Sequence, residues 1–308
     1  MSRYCHNDPL SNLILSVRNI PLDDRLSDTA LAALSRSYVS MQNLAAVHGP
    51  DPSYGERVAF EKALDRLYRI CLPRCQADQP FARRSRMTPL LHAMVYLQMR
   101  GVDREKSHAC YGLMRGLVDE WMRNPALSGD RTPVHGVLRC IGNLYDGVPE
   151  AERSREKDFQ WYRQQIRDWA AQTDGEGRWA GISPDEALGR IEIMGRNSNL
   201  LADTSCDASA DRSRRAYCQS ILEHLRQPDG KPLRGIGRTL FLLYEVVMWG
   251  IGAPDGEWVD AIADAAQRQA ARCTYGSDEW LLCQSTVLDR LCMQVGEEIQ
   301  VRMFADIA

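Results

Sequence analysis

Cys206 sits in the most chemically suggestive stretch of the sequence. The run Asp203-Thr204-Ser205-Cys206-Asp207-Ala208-Ser209-Ala210-Asp211-Arg212 is polar and falls where a helix is expected to begin. A thiol at a helix N-terminus faces unpaired N–H groups and the positive end of the helix dipole. Arg212, Arg214 and Arg215 add positive charge beside it. Both effects favour the thiolate, the nucleophilic form. Asp207 and Asp211 oppose that shift, yet are placed to orient an incoming amine or take its proton. Cys206, Asp207 and Asp211 are therefore one catalytic set, that of a cysteine-dependent transferase.

A second set is acidic. Asp185, Glu186 and Glu192 lie on one apolar helix, and Asp278 and Glu279 open another. In helical-toroid enzymes acting on sugars, carboxylates at the starts of inner helices serve as acid and base. The same residues also complement the helix dipole with no catalytic role. Other chemistry finds less support. Cys71 and Cys75 offer half a zinc site, but no second close Cys/His pair completes the three or four ligands zinc needs. His92 and His135 fall near the starts of two apolar helices and read as core or cap residues. Asp23-Asp24 follows Pro21-Leu22 in a loop, so it is no helical aspartate-rich metal motif. Gly235 and Gly237 open a helix with no strand before it, which excludes a phosphate loop. The stretch Arg83-Arg84-Ser85-Arg86 reads as a solvated basic loop. No cofactor and no metal are expected.

Cys206 is followed by Asp207, by Asp211-Arg212, and then by Gly237-Arg238-Thr239-Leu240-Phe241-Leu242-Leu243; later a helix is led by Asp278-Glu279. In this order the segment from 206 to 304 resembles the helical ubiquitin-ligase domain of secreted bacterial effectors. The resemblance implies Cys206 as nucleophile. The interval from Cys206 to Asp211-Arg212 is longer than that domain's pattern.

The elements that must carry these residues are helices. Apolar positions recur every three or four residues, separated by Gly, Pro, Asp and Ser clusters, and strand patterns are nearly absent. A helix is predicted over Asp28–Val47 and another over Tyr54–Leu72, stopped at Pro73; Arg74–Arg86 reads as a long loop. Thr88-Pro89, Thr132-Pro133 and Ser183-Pro184 each pair an N-cap with proline at the first helical position. Asp103 caps a further helix, and Ser183 with Glu186 fits a capping box. The helices starting near 88, 132, 183, 235 and 277 are the apolar ones, spaced 42 to 52 residues apart, and those between them are charged. Such alternation predicts stacked helical hairpins, inner apolar and outer charged. The fold class is all-α: an irregular helical-hairpin array, solenoid or α/α toroid-like, of about 11–12 helices. Residues 1–80 form an N-terminal helical segment and 81–308 the hairpin repeat, or both make one continuous domain.

Composition narrows the function classes. The chain has 308 residues, 44% hydrophobic and 26% charged, the make-up of a globular protein. A net charge of −3 gives no basic excess for nucleic acid. No apolar run is long enough for a membrane span. Ten cysteines, scattered and mostly in apolar helical patterns, read as free thiols in a reducing compartment. Lysine occurs only at 62, 106, 157 and 231 against 34 arginines, a bias expected of a GC-rich genome or of a protein working near ubiquitin machinery. The reading that follows is a helical scaffold binding a protein partner, cytoplasmic or delivered into a host cytosol without a cleaved signal peptide. The alternatives are the Cys206 transferase and a helical-toroid enzyme using inner-helix carboxylates.

Overall fold

The computed structural model describes residues 9–48, 54–100, 103–124, 131–145, 159–173, 182–197, 215–223, 235–249 and 256–305. All regular structure among these residues is helical. The helices are α1 (Pro9–Arg18), α2 (Asp28–His48), α3 (Tyr54–Cys75), α4 (Phe81–Arg86), α5 (Thr88–Arg100), α6 (Arg104–Arg123) and α7 (Arg131–Tyr145). They continue with α8 (Phe159–Thr173), α9 (Pro184–Arg196), α10 (215–223), α11 (Ile236–Trp249), α12 (Gly256–Ala270) and α13 (Asp278–Ala305).

Six of them close a ring. α2 packs on α5, α5 on α7, α7 on α9, α9 on α11, α11 on α13, and α13 returns to α2. The helices between them in sequence lie outside: α6 packs on α5 and α7, α12 on α11 and α13, and α1 on α2 and α13. Contacts between first turns, Ser27 with Asp278, Gly237 with Glu279 and Thr239 with Asp185, set the N-termini of α2, α9, α11 and α13 at one end of the ring. The architecture is an α/α toroid.

Burial separates the two layers. α12 has a single apolar stripe, Val259, Ile262, Ala263, Ala265, Ala266 and Ala270, and is polar elsewhere. α13 buries Trp280, Leu281, Leu282, Cys283, Val287 and Leu288 together with Ser285 and Thr286, nearly its whole circumference. A helix buried all round is packed on several sides, as an inner helix must be.

Local signals set the helix starts. The Ser27 hydroxyl accepts the Ala30 N–H at 2.9 Å, capping α2. Ser183 accepts the Glu186 N–H at 3.2 Å, Ser277 the Trp280 N–H at 3.2 Å, and Asp103 the Lys106 N–H at 3.0 Å. Three elements differ from expectation, the first being α1, which precedes the first predicted helix. α3 runs through Pro73 to Cys75. Within the expected loop 74–86, Pro80 starts the short helix α4. Arg84, expected in solvent, is buried there, donating to the Gln79 carbonyl at 2.9 Å and to the Glu120 carboxylate of α6 at 2.7 Å. That pairing is what lets Arg84 enter the core, while Arg86 stays exposed.

Candidate active site

The N-terminal end of the ring carries the acidic residues at issue. Asp185, at the second position of α9, accepts the Thr239 hydroxyl at 2.8 Å through one oxygen. Its other oxygen lies 3.2 Å from the Arg238 guanidinium. From the opposite side, Glu279 of α13 accepts the Gly237 N–H at 2.6 Å and the Gln269 amide at 3.4 Å through its Oε1. Gly237 and Thr239 belong to the first turn of α11, so two carboxylates from different inner helices converge on one turn. The approach is close: a Cβ on Gly237 would lie 2.9 Å from the Glu279 Cδ, 3.0 Å from its carbonyl and 3.1 Å from the Cys283 sulfur.

The neighbouring acidic residues take other directions. Asp278, one residue before Glu279, turns to α2, where its Oδ2 accepts the Ser27 hydroxyl at 2.7 Å. Glu186 accepts Arg190 at 2.9 Å within α9. Glu192 is buried, with Arg139 of α7 donating to its Oε2 at 2.9 and 2.8 Å. The rim is therefore stitched from helix to helix: α9 to α11, α13 to α11, and α13 to α2.

Beyond Ser27 the rim opens into a cavity of about 510 Å³ between the start of α2 and the end of α3. Arg74 and Arg83 both reach the Asp28 Oδ1, at 2.9 and 3.4 Å. Burial alone would raise the Asp28 pKa, but the hydrogen bonds from Arg83 and Arg74 hold it below the usual carboxylate value.

Deeper in the ring lies a group of charges that their spacing in sequence conceals. Arg36 of α2 pairs with Glu245 of α11 and, at 2.6 Å, with Asp289 of α13. Ser40 adds a 2.7 Å hydrogen bond to Asp289. Phe241 and Tyr244 lie against the same guanidinium, each ring centre 5.9 Å from it. Burial, with Asp289 nearby, pushes the Tyr244 phenol well above its usual pKa. This group ties three inner helices together midway down the ring.

Cys206, Asp207 and Asp211 lie outside the described residues. His92 falls in the second turn of α5, half-buried, and the side chain of His135 is outside the described set. Among the described residues no group of three or more His, Cys, Asp or Glu side chains could hold a metal ion. Cys71 and Cys75 are buried free thiols whose pKa values burial raises, that of Cys75 to about 12. Among the described residues no helix is long and apolar enough to cross a membrane.

No family profile and no curated protein matches the sequence. Among solved structures the chain is similar to GH76A, an alpha-1,6-mannanase of Salegentibacter sp. HEL1_6. The TM-score is 0.57 at 9% identity, over 92% of this chain and 98% of that one. That structure holds alpha-1,6-mannotriose and is an inactive variant in which two consecutive aspartates are asparagine. The likeness corrects the scaffold reading. An open hairpin array presents a concave face to a partner. Here α2 packs on α13, the ring shuts, and the fold is one that an enzyme uses.

Proposed function

We propose that the protein is a carbohydrate-active enzyme of the α/α-toroid type, hydrolysing glycosidic bonds with Asp185 and Glu279 as its acid and base. The observation that carries this reading is their convergence on the first turn of α11 from two different inner helices. Glycoside hydrolysis needs two carboxyl groups facing one bond, roughly 5–9.5 Å apart. Asp185 is about one-third exposed and Glu279 half-buried, so both stand at the open end of the ring. The similar mannanase structure adds a parallel: it was inactivated at two consecutive aspartates, and here consecutive carboxylates open α9 and α13.

The competing account is that both residues merely staple helices. Amide variants separate the two. In Glu279→Gln the side-chain carbonyl still accepts the Gly237 N–H, and in Asp185→Asn it still accepts the Thr239 hydroxyl. The staples survive and the acid–base function does not. Release of reducing ends from alpha-1,6-mannan and a panel of other α- and β-linked oligosaccharides is the assay. Each variant should lose at least about 100-fold in rate with an unchanged far-UV spectrum. Wild-type inactivity across the panel, or wild-type rates in both variants, would overturn the assignment.

A further inference from the structure

We infer that the cavity at the start of α2 is a saccharide subsite adjoining the Asp278-Glu279 turn, an inference that rests on the carbohydrate-active reading above. Its volume of about 510 Å³ suits a small ligand of disaccharide size. Its charges are balanced: Asp24 and Asp28 against Arg74 and Arg83. A neutral ligand fits such a lining better than an anion or a cation. The lining holds both donors and acceptors, as a polyhydroxylated ring requires, and Leu26, Ile70 and Pro73 supply an apolar surface for its C–H faces.

The walls are unequal in a useful way. Arg74 is spent on the protein: it donates to the Leu26 carbonyl at 2.7 Å, the Asp28 carboxylate at 2.9 Å and the Asp24 carbonyl at 2.9 Å, and is 14% exposed. It fixes the loop and so preorganises the cavity. Arg83 and Asp28 are 37% and 40% exposed, and their 3.4 Å contact is long for a hydrogen bond. Only the Oδ1 of Asp28 is engaged among the described residues. This loose pair can open to take a hydroxyl, Arg83 donating to it and Asp28 accepting from it. Ser27 lines the cavity and also donates to Asp278, which places the cavity beside the turn bearing Glu279.

The test uses alpha-1,6-mannotriose, and the best oligosaccharide of the hydrolysis panel, as calorimetric probes of Glu279→Gln protein. Adding Arg83→Met or Asp28→Asn should weaken binding about tenfold, the loss of roughly one charged hydrogen bond. In otherwise wild-type protein the same changes should raise KM and leave kcat within about twofold. Hydrolysis by the wild type with unchanged Kd and KM in both variants would sink the subsite alone. Binding lost in the variants without any wild-type hydrolysis would keep the subsite and sink the enzymatic reading. No saccharide binding at all would remove both.

Discussion

Replacing Gly237 by alanine puts a methyl group where two helices already touch. The added Cβ would stand 2.9 Å from the Glu279 Cδ, 3.0 Å from the Glu279 carbonyl oxygen and 3.1 Å from the Cys283 sulfur. One of these neighbours is backbone and another is fixed by its bond to the Gly237 N–H, so a side-chain rotation cannot clear the space. α11 must move away from α13. Forcing an extra carbon into a packed contact costs about 1–3 kcal/mol, and the better helix propensity of alanine returns at most about 1 kcal/mol. The net is a loss of about 1–2 kcal/mol, which for a chain of this size lowers Tm by roughly 1.5–3 °C. Thermal melts followed by circular dichroism read this directly. The shift that separates α11 from α13 also separates Glu279 from Asp185, so hydrolytic rate should fall further than stability accounts for at the assay temperature. An unchanged or raised Tm would refute the close approach, and with it the geometry of the carboxylate pair.

Two other perturbations probe the ring. Arg36→Met should leave Glu245 and Asp289 without their shared cation, with Asp289 still held by Ser40; breaking a buried pair of this kind costs about 3–5 kcal/mol. Urea unfolding should show a midpoint lowered accordingly, and a midpoint near that of the wild type would mean the charges are solvated. Asp28 predicts a pH effect: its folded pKa is depressed, so the stability it contributes is present above the usual carboxylate pKa and lost as pH falls through the folded value. Asp28→Asn should therefore lower Tm near neutrality and flatten part of the acid limb of a Tm-against-pH curve, the two curves converging below about pH 4. Parallel curves for the two proteins would contradict the Arg74 and Arg83 pairing.

The ring was partly legible. Apolar helices expected near 88, 132, 183, 235 and 277 are the inner helices α5, α7, α9, α11 and α13, each beginning within about a residue of the predicted start. The signal survived because inner helices are buried nearly all round and Ser/Thr-Pro or Ser-Asp-Glu sequences mark the starts of α5, α7, α9 and α13. The sixth inner helix did not show itself. α2 carries Ser35, Ser37 and Ser40, all buried, which dilute its hydrophobic pattern. Their hydroxyls bond back to the Leu31, Ala33 and Arg36 carbonyls at 2.7, 3.0 and 3.2 Å, so they enter the core without an unpaired group. Small polar residues satisfied by their own helix let α13 come near, yet by hydropathy they look like surface. The sequence therefore places α2 in the N-terminal segment 1–80 and not among the alternating apolar helices.

The candidate site was visible as residues but not as a pair. Asp185-Glu186 and Asp278-Glu279 stand out at helix starts, where the helix dipole already explains an acid. Sequence gives no means of telling that Glu279 turns toward α11 while Asp278 turns toward α2. Adjacent helical positions point about 100° apart, and which neighbour each meets depends on ring order. The same holds for Arg36, whose partners Glu245 and Asp289 lie more than 200 residues away in the chain. Stapling and catalysis need not compete at this rim. A carboxylate held by a backbone N–H on one oxygen is oriented, and the other oxygen remains for a substrate. Glu279 has that arrangement, bonded through Oε1 alone among the described residues, whereas both oxygens of Asp185 are engaged. Under the proposed function, Glu279 is thus the more readily available proton carrier. Asp185 must first exchange the exposed Arg238 for substrate, which makes Glu279→Gln the more damaging of the two amide changes.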